Sequence, residues 1–465
     1  MTRNFSPLPP NEHEQYYPTP ERDFDVFEET PTFAPPYGNP ALGGAGAANF
    51  DAAESRDLAE STFRRQDYVW LFLLAFSVLE PFFDISRFPL KSFACVLVAG
   101  LAFACAAMSR FATSFEKPKI GWAFLLLYTM VWTFVSSELD TTYAILNVVA
   151  LLAFAIKPRV AIAYKLQKWL VALGVVLAIS CVAHAFAPSL LYSIGGLAAS
   201  AEWFEAAHKW ESHGVYCGLT NQTGTTAILI VSAIVAHFCL MVRKKVKIWD
   251  YALLALMLYG VVLTGKRSMF VLAIFSIFFY WNATGSRKMK TWTTLLGVAV
   301  ASIYLVAPFI GYFSDVKVVE RLGDANDSFY SERDYLASQA IKLGAEHPVF
   351  GVGWGRFAEL SGTDMGAHNV YLQLFAECGL VGLGLFLILA LGTLIHTRMK
   401  LKIVDGVEKR ILLFAYLNQL VFLLYSFTGN PFYVMSTRNL YFFACMIALT
   451  ASLVDRSGNG AQTNA

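Results

Sequence analysis

Charge is scarce in this 465-residue chain: Asp, Glu, Lys and Arg make up 15% of it, against about 25% in an ordinary soluble domain. The signs nearly cancel, to a formal net charge of +2, so no long-range field draws in a polyanion such as nucleic acid. Cysteine occurs seven times, an odd number, without any Cys-x-x-Cys pair. Five of the seven lie inside apolar runs, where a thiol packs as a small hydrophobe. No disulfide framework follows. His-Glu-x-x-His is absent, and the only Asp-x-Asp is Asp23–Asp25, so the sequence points to no bound metal. The chain start lacks the basic segment and apolar core of a signal peptide. Chains of Asp and Glu such as proton-coupled transporters use are missing from the apolar runs. Together these absences exclude a soluble enzyme, a secreted disulfide scaffold and a nucleic-acid binder.

What is abundant is apolar sequence, at 56% of the chain. Residues 1–66 stand apart: nine of the seventeen prolines fall in the first 40 positions, and acidic residues outnumber basic ones. Such a segment buries too little apolar surface to offset ordering entropy, which predicts a disordered tail, as for residues 456–465. Between them, residues 67–455 carry twelve candidate spans, at 68–86, 91–112, 120–137, 140–157, 168–187, 224–242, 248–264, 268–283, 292–313, 374–396, 410–428 and 434–453. In lipid, only helices satisfy their own backbone over such lengths. The expected fold is therefore an all-α, polytopic integral membrane protein of about twelve transmembrane helices. Nineteen Lys and Arg residues crowd the alternate junctions around 110–119, 157–168, 243–247, 287–290 and 398–410. Basic residues stay on the cytoplasmic side, so both termini are expected there. The long connections 188–223 and 314–373, the larger one between spans nine and ten, then lie outside, where long loops of a compact bundle usually carry function.

Several outer residues have the chemistry for a site. Lys266 and Arg267 fall in a tight junction between two spans, against the charge bias. They are suited either to an anion such as phosphate or simply to snorkelling towards the interface. In the second long loop, Ser331 with Asp334 resembles a capping start. Leu336, Ala340 and Leu343 then form one apolar stripe, predicting a short helix on the membrane surface. The glycines at 351, 353 and 355 follow no strand and suit a backbone turning tightly against a ligand or a helix. His368 and Asn369 stand at the N-terminal edge of span ten, where the helix dipole disfavours imidazolium and leaves a neutral ring. That ring is able to accept a proton, or to make a structural hydrogen bond. Glu377 points roughly the other way and is expected to fix helix packing. In the first long loop, Asn221 is placed to cap span six or to bind sugar hydroxyls. Trp210 and Tyr216 offer either sugar-stacking faces or ordinary interface aromatics.

The pattern Pro348-x-x-Gly351-x-Gly353, His368-Asn369-x-x-Leu372 and Glu377-x-Gly379 resembles the O-antigen ligase and O-antigen polymerase superfamily, which includes bacterial exopolysaccharide polymerases. Thr264 to Ser268 is similar to that family's Thr-x-Ser-Arg turn, with Lys266 in place of Ser. Gly214 to Gly224 is similar to its first-loop motif, and Arg333 matches the arginine opening the helix before the glycine segment. The resemblance implies an inverting, metal-independent, cofactor-free glycosyltransferase of the bacterial inner membrane. It would act at the periplasmic face on glycans carried by undecaprenyl diphosphate in the membrane lipid, with a chain-length-regulating copolymerase as partner. By the same resemblance His368 is the base and Arg267 a diphosphate ligand. The ligases also have a first-loop arginine, for which this chain offers only Lys209 and histidines, leaving Arg333 or Arg321 to supply the second charge. Lys266, Asn369, Tyr216, Asn221 and Trp354 are the expected further substrate contacts. Polymerase is the first expectation and ligase the alternative. A polysaccharide transporter or flippase, which would need no base and should show internal repeats, is the more distant one.

Overall fold

The computed structural model describes residues 62–79, 117–135, 147–154 except 149, 158–195, 201–241, 247–284 and 328–450 except 364, with the isolated residues 100 and 291. The tail expectations for 1–61 and 456–465, spans 91–112 and 292–313, most of 140–157, and Arg321 lie outside the described residues. Within them the chain is helical throughout, without strands. In order come α1 (Arg65–Leu79), α2 (Lys117–Val135), α3 (Val160–Phe186), α4 (Pro188–Gly195), α5 (Ala201–Ser212), α6 (Thr223–Met241) and α7 (Ile248–Leu263). They are followed by α8 (Arg267–Thr284), α9 (Ser328–Glu346), α10 (Phe357–Ser361), α11 (Val370–Lys400), α12 (Gly406–Tyr425) and α13 (Met435–Thr450).

Among the described residues, three helices are long and apolar enough to cross a bilayer: α3, α6 and α11. α6 is apolar all round and correspondingly buried along nearly its whole length, as expected of a helix at the centre of a bundle. Small residues let helices approach: a Cβ on Gly174 of α3 would meet the Ala233 Cβ of α6 at 2.2 Å, and one on Gly260 of α7 would meet the Ala178 Cβ of α3 at 2.8 Å. One core gathers α3, α6, α7, α8 and α12; a second gathers α1, α2, α11, α12 and α13. Where α1 meets the start of α3, Arg159 and Asp67 form a buried ion pair at 2.8 Å.

The long connections are themselves folded. The 188–223 stretch contains α4 and α5, joined by a small core of Leu191, Trp203, Ala207 and Cys217. In the second, α9 starts at Ser328, three residues before the expected cap. Its stripe of Leu336, Ala340 and Leu343 packs against Phe357, Ala367 and Ala376, not against a membrane surface. That corrects the expectation, because an apolar stripe is filled by whichever apolar partner lies nearest, here α10 and α11.

α11 is broken at Gly379, whose φ of 63° and ψ of −165° are non-helical. A break strands carbonyls that the helix would have used, and buried carbonyls need donors. The 348–353 segment threads into the gap and supplies them. Val352 N–H donates to Ala376 O (2.9 Å) and Gly353 N–H to Glu377 O (2.9 Å). In return Leu380 N–H and Val381 N–H donate to the carbonyls of Pro348 (2.8 Å) and Val349 (3.2 Å). From α2, the Tyr128 hydroxyl donates to Cys378 O (3.0 Å) and the Trp132 indole to Glu377 O (3.0 Å). The glycine run thus serves a close backbone approach to a helix.

Candidate active site

Two features set the conformation of His368. Asn369 is the N-cap of α11, its side-chain oxygen accepting from the N–H groups of Tyr371 (3.0 Å) and Leu372 (3.1 Å). One residue earlier, His368 has a φ of 51°, the single positive-φ position among the described non-glycine residues. The left-handed region is costly for a residue with a Cβ. Here it turns the chain sharply just before the helix begins.

The half-buried His368 imidazole is pushed down from its ordinary 6.5 to about 4, first by burial and then by the positive charges of Arg333 and Lys266. Each effect disfavours imidazolium, so the ring is neutral at physiological pH. The sequence expectation of a neutral ring holds, but for a further reason than the helix dipole. Those three side chains come from separate parts of the chain: Arg333 from the second turn of α9, Lys266 from the α7–α8 turn, and His368 from the entry to α11. The α7–α8 turn is tightened by Gly265, at φ 65°. The Lys266 ammonium lies over the Trp210 ring, 5.7 Å from its centroid. A Cβ on Gly224, at the start of α6, would meet the Tyr425 hydroxyl at 2.9 Å and Lys266 Cε at 3.8 Å. Tyr425, in the last turn of α12, also lies within the field of Arg333. One end of the bundle therefore gathers two cations, a neutral imidazole, a phenol and an indole. Arg267 opens α8 directly after Lys266 and is half buried.

Other expected contacts have different places. Trp354 is buried and stacked on Tyr433, ring centroids 4.5 Å apart and 13° from parallel. Its face is taken, which corrects its assignment to sugar. Asn221 stands one residue too early to cap α6, which begins at Thr223; it is exposed, and its carbonyl accepts from the Trp210 indole (3.2 Å). Tyr216 is half buried, its ring edge-on to His184 at 5.4 Å and its N–H donating to Leu263 O (3.0 Å). The Asn369 amide nitrogen donates to Phe427 O (3.3 Å), so both ends of that side chain are engaged in structure. Replacing Asn369 by Ala is expected to lower stability by about 1 kcal/mol and Asn369→Ser to recover most of it. Thermal unfolding of the two variants reads this out, whereas a sugar contact would instead raise KM.

Three residues escaped the sequence reading: Tyr425, Gln373 and Asn430. No motif marks them. Glu377 does fix packing, being fully buried and accepting from Phe357 N (3.2 Å) and Gln373 Nε2 (3.1 Å).

The class that fold and site define is an all-helical membrane protein with a cation-flanked neutral histidine at one end of its bundle. The model of the O-antigen ligase family matches residues 252–387, a stretch that takes in Lys266, Arg267, Arg333, His368 and the α11 break. The match supports the O-antigen ligase and polymerase resemblance that the motifs carry. No curated protein matches the chain.

Proposed function

We propose that this chain is an inverting membrane glycosyltransferase that polymerises undecaprenyl-diphosphate-linked oligosaccharide repeats. Its site would face the periplasm from the bacterial inner membrane, with both termini in the cytoplasm. The observation that carries the reading is a neutral His368 beside Arg333 and Lys266. His368 takes the proton of an acceptor hydroxyl as that oxygen bonds to the anomeric carbon of the donor sugar. The bond from that carbon to the diphosphate oxygen breaks, and the leaving lipid diphosphate carries the electron pair away. Its growing charge is balanced by Arg333 and Lys266, with Arg267 one residue on; preorganised cations stabilise such charge without further help. Confining donor and acceptor to one membrane adds proximity.

The family description favours a second reading, a ligase that moves the glycan from the same carrier onto lipid A core. The 188–223 stretch contains no arginine, which supports the polymerase. Cells carrying Lys266→Ala or Arg333→Ala, with protein inserted at normal level, decide between them. Each variant is expected to lose about 10²- to 10³-fold of its turnover, the usual effect of removing one transition-state donor. Accumulated single lipid-linked repeats favour polymerase; full-length unattached chains favour ligase. Wild-type product from both variants overturns the mechanism.

A further inference from the structure

Gln373 belongs to no motif that suggests chemistry, yet its amide joins four segments. Its Oε1 accepts from the Ala367 N–H (3.0 Å) and from Asn430 Nδ2 (2.9 Å), in the α12–α13 junction. Its Nε2 donates to Glu377 Oε1 (3.1 Å), which also accepts the Phe357 N–H (3.2 Å) at the start of α10. Gln373 and Glu377 are both buried. We propose that Gln373 is the positioning residue that holds His368 in its working orientation, by clamping the preceding backbone between Asn430 and Glu377.

The polarity of the network requires this side chain. The Ala367 N–H only donates, and Glu377 Oε1 is an acceptor here, taking both the Phe357 N–H and the Gln373 amide, so the group between them must offer one acceptor and one donor. Among side chains of this reach, an amide does so. The backbone is pressed close against the clamp: a Cβ on Gly366 would meet Asn430 Nδ2 at 2.3 Å and Gln373 Oε1 at 2.9 Å. On its other side His368 is followed by the Asn369 cap and by Val370, whose N–H donates to Ser426 O (2.9 Å). His368 is therefore held from both directions in a left-handed conformation that persists only where the surroundings over-determine it. Removing Gln373 releases the earlier side. A displacement of about 1 Å at a reacting group is enough to cost about 10²-fold in rate.

The inference rests on His368 acting as the base, and the experiment separates the two. The purified full chain in liposomes is given the lipid-linked glycan extracted from cells lacking this chain, and kcat, KM and the pH profile of kcat/KM are measured. Gln373→Leu keeps the bulk and loses all three bonds. It is expected to cut kcat about 10²-fold with KM little changed. Its acid limb should move up from about 4 towards the ordinary histidine value, as the ring escapes burial and the charges of Arg333 and Lys266. Gln373→Glu removes the amide donor and puts a second carboxyl group beside Glu377, so its turnover is expected to fall below that of the wild type. Combining it with Glu377→Gln restores turnover, because the introduced carboxylate accepts from Ala367, Asn430 and the introduced amide, which accepts from Phe357. A Gln373→Leu protein with wild-type kcat, or with reduced kcat and an unmoved acid limb, overturns the proposal. So does a double swap as inactive as Gln373→Glu when both insert. If His368→Ala turns over at the wild-type rate, the function reading itself fails, whatever Gln373 does.

Discussion

Replacing His368 by asparagine is expected to lower turnover by about 10²- to 10⁴-fold, the usual contribution of a general base, while leaving the protein folded and inserted. Asparagine is the informative substitute because position 368 has a φ of 51°, and Asn tolerates the left-handed region better than other residues with a Cβ. His368→Ala should lose as much activity with no gain in backbone fit. Steady-state turnover of both variants, beside their thermal unfolding, separates chemistry from folding. The wild-type acid limb of kcat/KM should fall near pH 4, where the free imidazole takes up its proton. Arg333→Met or Lys266→Met removes a neighbouring positive charge and should move that limb upward. The same depression bears on stability. The unfolded chain binds a proton near 6.5 that the folded chain refuses until about 4, so this contribution is whole above pH 6.5 and is lost as pH falls through that window. An acid limb that ignores both substitutions would show that the three groups do not share a site.

The largest loss of stability is expected from alanine at Gly351 or Gly379. A Cβ on Gly351 would lie 2.3 Å from the Glu377 carbonyl carbon, and one on Gly379 would lie 2.3 Å from Val349 C and O. Both clashes are with backbone, which cannot swing aside. Each adds overpacking of about 1–3 kcal/mol to the roughly 1–2 kcal/mol of left-handed strain that a Cβ brings, at φ 72° and 63°. Gly355 is the control. Its φ is 79°, but a Cβ there meets nothing within 4 Å, so Gly355→Ala should show the strain alone. Because positions 351 and 379 face each other across one contact, the double variant should cost less than the two singles together. Apparent unfolding temperatures in detergent check all four proteins. If Gly351→Ala and Gly379→Ala unfold no earlier than Gly355→Ala, the threaded break does not hold α11 together.

Among the described residues, helix positions were largely legible, and the differences have physical causes. The expected span 224–242 is α6, at Thr223–Met241. The span expected at 168–187 is α3, which begins eight residues earlier, at Val160. Lys165 and Lys168 suggested a boundary, but their ammonium groups lie over the rings of Phe63 (4.5 Å) and Tyr164 (4.6 Å). The cations are accommodated on the helix and do not end it. The expected start of span ten, at 374, falls four residues after α11 begins at Val370, where the Asn369 side chain caps the helix.

Composition and spacing alone determined that this is a helical membrane protein. They also determined that Lys266, Arg267 and His368 stand at helix ends, since apolar runs and their polar interruptions are local properties of a chain. Only tertiary structure decided that Lys266, Arg333 and His368 share one electrostatic environment, that Trp354 is spent on Tyr433, and that Gln373 grips the backbone before the histidine. Those outcomes depend on how distant helices pack and on where the break at Gly379 admits the 348–353 segment. Neither is written in any window of neighbouring residues.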